Sequence, residues 1–163
     1  MTHSRAASDQ KSSGLTIRRA VEADLPRIVE LLSHLSLGDD RESPGEPLLE
    51  SYRAAFRQIQ ADPGQQLVLA EVERHVVATL VLIIVPNLSH RGRPWCCVDN
   101  VVVDDRARGK GYGEALVRYA IEEARRAGCY KVSLTSNKRR TEAHRFYEKL
   151  GFTATHEGFR VTF

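Results

Sequence analysis

Three glycines at alternate positions separate a run of valines from an amphipathic segment, and this junction constrains the fold more than any other part of the sequence. The valines occupy positions 101–103, and the glycines occupy positions 109, 111 and 113. A short apolar run rich in β-branched residues predicts a strand buried in a sheet. The residues that follow recur at the spacing of one helix face, and they are Leu116, Val117, Ala120, Ile121 and Ala124. The chain therefore contains a strand, a glycine-rich turn and a helix in direct succession.

A turn of this kind is suited to holding an anion. Glycine has no Cβ, so the backbone can approach a ligand closely. The first N–H groups of the helix lack partners within it and carry partial positive charge, which favours a diphosphate at that position. Arg108 and Lys110 add positive side chains beside the glycines. Alternatively, the glycines serve only to form a tight turn, but the flanking strand, cations and helix favour the anion site.

The loop differs from two common phosphate-binding motifs. Lys110 is followed by Gly111 rather than by serine or threonine, so the Walker pattern is absent. Glu114 and Leu116 stand where a dinucleotide motif would have its third glycine. The predicted anion site is therefore of another type.

The remaining elements predict an α/β (α+β) fold, with a mixed sheet and helices on both of its faces. Helices are predicted from residue 25 to 35, from 48 to 60, between Gly113 and Gly128, and from 141 to 150. About seven strands are predicted, over residues 15–19, 66–72, 76–85, 95–103, 130–135, 152–155 and 159–163.

Length and charge indicate one domain and exclude some partners. The chain has 163 residues, 42% of them hydrophobic, which suits a single domain over residues 15–163. Residues 1–14 are polar and serine-rich, so we predict a flexible N-terminal tail rather than a signal peptide. The formal net charge of +3 is too small for a dedicated nucleic-acid binder. No apolar run approaches the roughly 20 residues of a membrane span, so no membrane partner is expected.

The cysteines predict neither a disulfide framework nor a metal site. The chain has three of them, Cys96, Cys97 and Cys129, without a CxxC pair. Reduced thiols are typical of cytoplasmic proteins, and that is the predicted location.

Two blocks of sequence resemble the GNAT superfamily of N-acetyltransferases. Arg108-x-x-Gly111-x-Gly113, following the valine strand, resembles the superfamily's acetyl-CoA signature. Residues 143–152, AHRFYEKLGF, resemble its C-terminal helix and the strand after it. The resemblance extends over about residues 15–163. It implies a twisted, mostly antiparallel sheet in which two strands splay apart to admit pantetheine. It also implies acetyl-CoA as co-substrate, no metal, and a possible homodimer.

The resemblance also implies roles for particular residues. Tyr147 would lie near the thioester sulfur as the general acid, and the alternative interpretation is a core tyrosine. Members often carry asparagine seven residues before that tyrosine, where this chain has Arg140, and Asn137 is out of register. Both are expected on the cofactor side, with Arg140 contacting phosphates. Backbone groups of Val101, Val102 and Val103 would pair with pantetheine. The pyrophosphate would be held by the N–H groups of Arg108, Gly109, Lys110, Gly111, Tyr112 and Gly113.

The reaction implied is direct attack of a primary amine on the acetyl thioester. The amine must lose a proton to attack, so a base or a water path is needed. Asp99 is the first candidate for the base, because it interrupts an apolar strand where an unpaired carboxylate is costly. Asp99 facing solvent, or pairing with an arginine, is an equally open alternative.

Three functions are compatible with these features. The first is acetylation of a small-molecule amine, and the second is acetylation of a protein N-terminus or lysine. The third is a non-catalytic, regulatory acyl-CoA-binding domain. The loops at residues 38–47 and 86–94 are expected to select the acceptor, because loops carry specificity on a fixed scaffold.

Overall fold

The computed structural model describes residues 14–35, 42–45 and 47–163. The predicted tail lies outside this range except for the exposed Gly14. Parts of the predicted acceptor loop, residues 38–41 and 46, also lie outside it.

The described residues form a five-stranded, mostly antiparallel sheet. Its strands follow chain order: β1 (Leu15–Arg19), β2 (Gln65–Val72), β3 (His75–Val85), β4 (Trp95–Val103) and β5 (Val132–Ser133). The first three pairings are antiparallel, and β5 runs parallel to β4. The mixed, mostly antiparallel sheet predicted from the sequence is therefore confirmed.

The prediction of about seven strands is not confirmed. Residues 152–155 and 159–163 form no strand, and β5 is limited to two of the six residues predicted for it. A strand requires a hydrogen-bonded neighbour, and residues 152–163 pair with no strand in the described structure. The alternating apolar residues that suggested a closing strand, Phe159, Val161 and Phe163, are instead largely exposed.

Helices cover both faces of the sheet, as predicted. One face carries α1 (Leu25–Ser33), which follows a 3-10 turn, and α2 (Glu50–Ala61). The other carries α4 (Tyr112–Arg126) and the partly buried side of α5 (Thr141–Lys149). A one-turn segment, α3 (Ser89–Gly92), precedes β4. None of the helices in the described part of the chain is long and apolar enough to cross a membrane.

Alternation along β2 explains why there are two apolar layers. Leu67 and Leu69 belong to the core shared with α1 and α2, and Val68 and Ala70 belong to the core beneath α4. Successive strand side chains point to opposite faces, so one strand supplies both layers. Each large side chain buried in this way contributes about 1.5–3 kcal/mol, so the layers hold the sheet as a fixed platform for the loops.

Candidate functional site

Strand β4 has a bulge and a free edge at its C-terminal half. Its register with β3 shifts between the pairs Val81–Asp99 and Thr79–Val102, and Asn100 at the shift has a φ of 51°. A bulge leaves a residue unpaired and redirects its backbone groups. β4 pairs with β5 only at Cys96 and Cys97. Within the described structure, the edge of β4 from residue 98 to 103 has no strand partner on that side.

This free edge contains the three valines predicted to bind pantetheine. Val102 is buried, and Val101 and Val103 are partly buried. β4 pairs with β5 only at Cys96 and Cys97. The backbone N–H and C=O groups of the β4 residues after Cys97 can therefore pair with an extended, amide-containing ligand. A free edge here agrees with the splayed strands that the family resemblance implies, and the binding of pantetheine at this edge stays a prediction.

The glycine turn connects β4 to α4 through two left-handed residues. Asp104 accepts a hydrogen bond from Arg106 N at 2.8 Å and so caps a 3-10 turn over Asp105–Ala107. Gly109 and Gly111 then adopt φ values of 75° and 83°, and Gly111 is the N-cap of α4. Non-glycine residues rarely adopt such angles, so glycine is required by the path of the backbone. The turn therefore places the N-terminus of α4 near the C-terminal end of β4.

Gly113 is required for a different reason, which is close packing. A Cβ at this position would lie 2.9 Å from Val103 Cγ2 and 3.6 Å from Phe146 Cζ. The absence of a side chain therefore lets α4 approach both β4 and α5. At Gly109 and Gly111, by contrast, a Cβ would meet nothing within 4 Å. The loop is tight against the protein at Gly113 and open at the other two glycines.

Two cations flank the open side of the turn. Arg108 Nη2 lies 2.7 Å from Asp105 Oδ1, and both side chains are largely exposed. An exposed pair of this kind is worth about 0–1 kcal/mol, so an incoming anion can replace Asp105 at little cost. Lys110 is exposed and makes no ion pair among the described residues. The start of α4 thus combines helix N–H groups, two cations and open space.

Tyr147 lies on α5 among aromatic rings. Its ring makes edge contacts with Phe146 at 5.2 Å and Phe152 at 5.8 Å between centroids. Burial raises the pKa of Tyr147, the Arg140 guanidinium lowers it, and the Asp99 carboxylate raises it. The hydroxyl has no hydrogen-bond partner within the described residues. Its roles as the general acid and as a core tyrosine both stay predictions.

Asp99 is exposed on β4. Its Oδ1 accepts a hydrogen bond from Asn100 N at 2.8 Å, which helps to hold the bulge. No arginine or lysine pairs with it in the described structure, so the arginine-paired alternative is not found there. Asp99 also contributes, after burial, to a raised pKa of the Cys97 thiol. The solvent-facing alternative agrees with this exposure, so the cost of an unpaired carboxylate in an apolar strand no longer singles out Asp99. Its role as a base stays a prediction.

Arg140 and Asn137 lie in the turn before α5. Arg140 Nη2 donates a hydrogen bond to Leu35 O, beyond the end of α1. Asn137 Oδ1 accepts from Arg139 N at 2.9 Å, and Asn137 O accepts from Arg140 N at 2.9 Å. Both residues are therefore engaged by the protein, and their predicted contacts with the cofactor stay predictions.

Sequence reasoning missed a connection between α1 and the glycine turn. Arg27 Nε donates to Val76 O at 3.0 Å, and the same guanidinium forms an ion pair with Asp104. The pKa of Asp104 is lowered by the backbone N–H of Arg106 and by Arg27. The capping pattern of Asp104 and Arg106 is visible in the sequence, since aspartate often accepts from the N–H two residues on. Nothing in the sequence near Asp104 indicates that its side chain forms an ion pair with Arg27 on α1.

Comparison with known proteins identifies the family. The sequence model described as "Acetyltransferase (GNAT) family" matches residues 30–152. The chain belongs to this family. Its members use acetyl-CoA, so this protein is an acyl-CoA-dependent N-acetyltransferase that transfers an acetyl group to a primary amine. The predicted family and reaction are confirmed.

Similar proteins support the assignment over most of the chain. The glucosamine 6-phosphate N-acetyltransferase of Trypanosoma brucei brucei is 33% identical, over 90% of this chain and 95% of that protein. Glucosamine 6-phosphate N-acetyltransferase 1 of Oryza sativa subsp. japonica is 37% identical, over 90% and 86%. The aminoalkylphosphonate N-acetyltransferase of Salmonella typhimurium is 33% identical, over 69% and 71%. A crystal structure described as a transcriptional regulator from Bacillus halodurans has a TM-score of 0.88 and 40% identity, covering 91% of this chain and 99% of that one.

Proposed function

We propose that this GNAT enzyme acetylates the amine of a small molecule that also carries a phosphate or phosphonate group. The observation that carries the proposal is the chemistry shared by the similar enzymes. Glucosamine 6-phosphate and aminoalkylphosphonates have different skeletons, but each has a primary amine and a phosphorus oxyanion. An acceptor of this class has one group to be acetylated and a second, charged group by which it can be recognised.

The donor in this proposal lies along the β4 edge and the start of α4. Pantetheine pairs with backbone groups of Val101, Val102 and Val103, and the pyrophosphate is held by N–H groups of residues 108–113. Support comes from the free β4 edge, the open space at Gly109 and Gly111, and the two cations beside them. Arg140 and Asn137 are proposed to border the donor from the turn before α5.

The chemistry proposed is a single transfer without an acyl-enzyme. The amine nitrogen attacks the thioester carbon, the new N–C bond forms, and the C–S bond breaks. The proton lost by the amine goes to Asp99, directly or through water, and the Tyr147 hydroxyl gives its proton to the departing thiolate. A backbone N–H near the β4 bulge stabilises the oxyanion. Asp99 lies at the β4 bulge and is among the groups that raise the pKa of Tyr147, which supports these roles.

Matched pairs of amines test the acceptor class. Free CoA is measured with glucosamine 6-phosphate against glucosamine, and with 2-aminoethylphosphonate against ethylamine. We expect kcat/KM to be on the order of 100-fold higher for the charged member of at least one pair, equivalent to about 2.7 kcal/mol of recognition. Peptides with a free N-terminus or an internal lysine complete the panel. Equal rates within both pairs, or a preference for the peptides, would contradict the proposal.

We also infer that two copies of the chain associate. Phe159, Val161 and Phe163 alternate on a largely exposed segment, and β5 has a free edge within the described residues. Each copy thus has both a strand-like segment without a partner and a sheet edge without a neighbour. Sedimentation equilibrium should give a dimer that is lost in Phe159→Ser/Phe163→Ser. Leu88→Ser, at an equally exposed site elsewhere, is the control. A monomeric wild type at tens of micromolar protein would reject the inference.

A cytoplasmic location is the remaining part of the proposal. All three cysteines are free, and burial raises the pKa of Cys96 to about 12, which keeps that thiol unreactive. Reduced thiols support a reducing compartment. Cell fractionation with an antibody against the full chain would test this, and recovery in an extracytoplasmic fraction would contradict it.

A further inference from the structure

The guanidinium of Arg27, on α1, is held at each of its nitrogens. Nε donates to Val76 O at 3.0 Å, and Nη1 lies 2.8 Å from Glu30 Oε2. Nη2 donates to Asp104 Oδ2 within an ion pair. The side chains of Arg27 and Asp104 are 30% and 17% exposed, so salt and water screen this pair less than a surface pair. Arg27 therefore joins α1 both to the start of β3 and to the residue that follows β4.

Every polar group of Asp104 is bonded. Its N–H donates to Val77 O at 2.8 Å, and its carbonyl accepts from Ala107 N at 2.8 Å. In the side chain, Oδ1 accepts from Arg106 N and Oδ2 accepts from Arg27. The first three contacts are made with neighbouring backbone, and the fourth is made with another helix. Asp104 therefore fixes the point at which the chain leaves β4 and enters the glycine turn, and Arg27 ties that point to α1.

Helix α1 approaches the same turn at a second point. His34, at the C-cap of α1, has its Nδ1 3.9 Å from Asp105 Oδ1. That oxygen is also the one that lies 2.7 Å from Arg108 Nη2. α1 packs on the face of the sheet opposite to α4, so the turn between β4 and α4 is contacted from both layers of the fold.

We propose that Arg27 is a positioning residue for the donor, and that through Asp104 it holds the glycine turn in the conformation that binds the pyrophosphate. The inference rests on the binding of pyrophosphate by residues 108–113 that is proposed above. Arg27 itself touches no part of the donor in this proposal, because its effect passes through the carboxylate of Asp104.

The turn needs such an anchor because little else restrains it. Gly109 and Gly111 have positive φ and meet no side chains, and glycine has access to many other conformations. The exposed ion pair of Arg108 with Asp105 restrains the turn only weakly. A ligand binds only the fraction of molecules whose turn has the competent conformation, so a loss of order raises the apparent Kd in proportion. Saturating acetyl-CoA restores that fraction, so kcat should not change.

Calorimetry with acetyl-CoA tests the proposal on the full-length wild type, Arg27→Gln, Asp104→Asn and the double variant. Asparagine still accepts from Arg106 N through its side-chain oxygen, so Asp104→Asn removes the ion pair and keeps the cap. We expect each single change to raise the Kd about five- to tenfold, with kcat unchanged at saturating acetyl-CoA. The double variant should bind no more weakly than the weaker single variant, because both changes remove the same contact. Arg27→Lys keeps the charge but not the planar head group, so its Kd should be intermediate.

Arg18→Gln is the matched control. The Arg18 side chain is 31% exposed and pairs with Asp24, the N-cap of α1, and with Glu71 on β2. Its loss removes a similarly placed ion pair beside α1 and leaves the contacts of Asp104 in place. We expect Arg18→Gln to lower the free energy of unfolding, as Arg27→Gln does, and to leave the Kd for acetyl-CoA close to that of wild type.

Three outcomes would overturn the inference. They are an unchanged Kd in Arg27→Gln, an equal rise in Kd in Arg18→Gln, and effects of Arg27→Gln and Asp104→Asn that add in the double variant. If Arg27→Gln does not fold, unchanged Kd values in Arg27→Lys and Asp104→Asn would overturn it. Failure of the proposed donor site is separate, since Gly111→Ala would then also leave the Kd unchanged. A Kd that rises in Gly111→Ala and not in Arg27→Gln would reject the role of Arg27 alone.

Discussion

Helices α4 and α5 pack on the same face of the sheet, but they begin in different ways. α4 starts at a glycine with positive φ, next to open space and two exposed cations. α5 starts at an arginine whose guanidinium is bonded to the end of α1. Neither helix has a side-chain cap hydrogen bond. One N-terminus is left accessible to a ligand, and the other is joined to the rest of the protein.

This difference separates binding from chemistry. An open helix N-terminus with cations beside it favours an anionic ligand, so changes there should act on the affinity for acetyl-CoA. The start of α5 is occupied by the protein's own contacts, and the same helix carries Tyr147, the proposed acid. Changes on α5 should therefore act on kcat. A variant at the start of α4 that changed kcat alone, or a variant on α5 that changed the affinity for acetyl-CoA alone, would contradict this division.

The largest effect is expected on α5, from Tyr147→Phe. The substitution removes the hydroxyl and keeps the ring that packs against Phe146 and Phe152. We expect kcat to fall at least 100-fold, since general acid catalysis contributes about 10²–10⁴-fold. The Kd for acetyl-CoA, measured by calorimetry, should stay within twofold of wild type. A variant that binds acetyl-CoA poorly and turns over normally would reverse the assignment of α5.

An intermediate effect is expected at the glycine that begins α4, and the glycine beyond its other end is the control. Gly111 and Gly128 have φ values of 83° and 73°, and a Cβ at either would meet nothing within 4 Å. Alanine at each should lower the free energy of unfolding by about 1–2 kcal/mol, because both backbones are left-handed. Only Gly111→Ala should also weaken acetyl-CoA binding, about tenfold, since its methyl group would occupy open space at the N-terminus of α4, where the pyrophosphate is proposed to bind.

Denaturant unfolding and calorimetry on the two alanine variants separate these contributions. Similar losses of stability with different Kd values would support an open ligand site at the start of α4. Equal Kd values would show that the glycine at position 111 serves the turn alone, which is the alternative that the sequence left open.

The sequence was sufficient for features that depend on neighbouring residues. The valine strand, the glycine turn and the helix after it are each specified by local pattern, and the structure has all three. The positive φ at Gly109 and Gly111 follows from the same local requirement. The splay of β4 from β5 came from family resemblance, because a free edge is a property of two strands and cannot be read from one.

Features that depend on distant residues could not be predicted. The ion pair of Arg27 with Asp104 and the bond of Arg140 to Leu35 join residues 77 and 105 positions apart. No periodicity connects such residues, so the sequence contains no sign that Arg140 bonds to Leu35. The C-terminal strands failed for a related reason. The alternation of Phe159, Val161 and Phe163 describes a segment able to pair, but pairing requires a partner that the local sequence does not specify.

The smallest effect is expected from Arg108→Gln, beside the glycine turn. Arg108 forms an exposed i,i+3 ion pair with Asp105, and Arg125 forms a similar pair with Glu122 near the other end of α4. Exposed pairs contribute about 0–1 kcal/mol, so Arg108→Gln and Arg125→Gln should both leave stability nearly unchanged. Only Arg108→Gln should weaken acetyl-CoA binding, by about fivefold or roughly 1 kcal/mol, and the loss should shrink at high salt because screening already weakens the wild-type contact. Calorimetry at two ionic strengths measures this. Equal Kd values in the two variants would mean that the cation beside Gly109 takes no part in binding, and that the start of α4 holds its anion through backbone N–H groups alone.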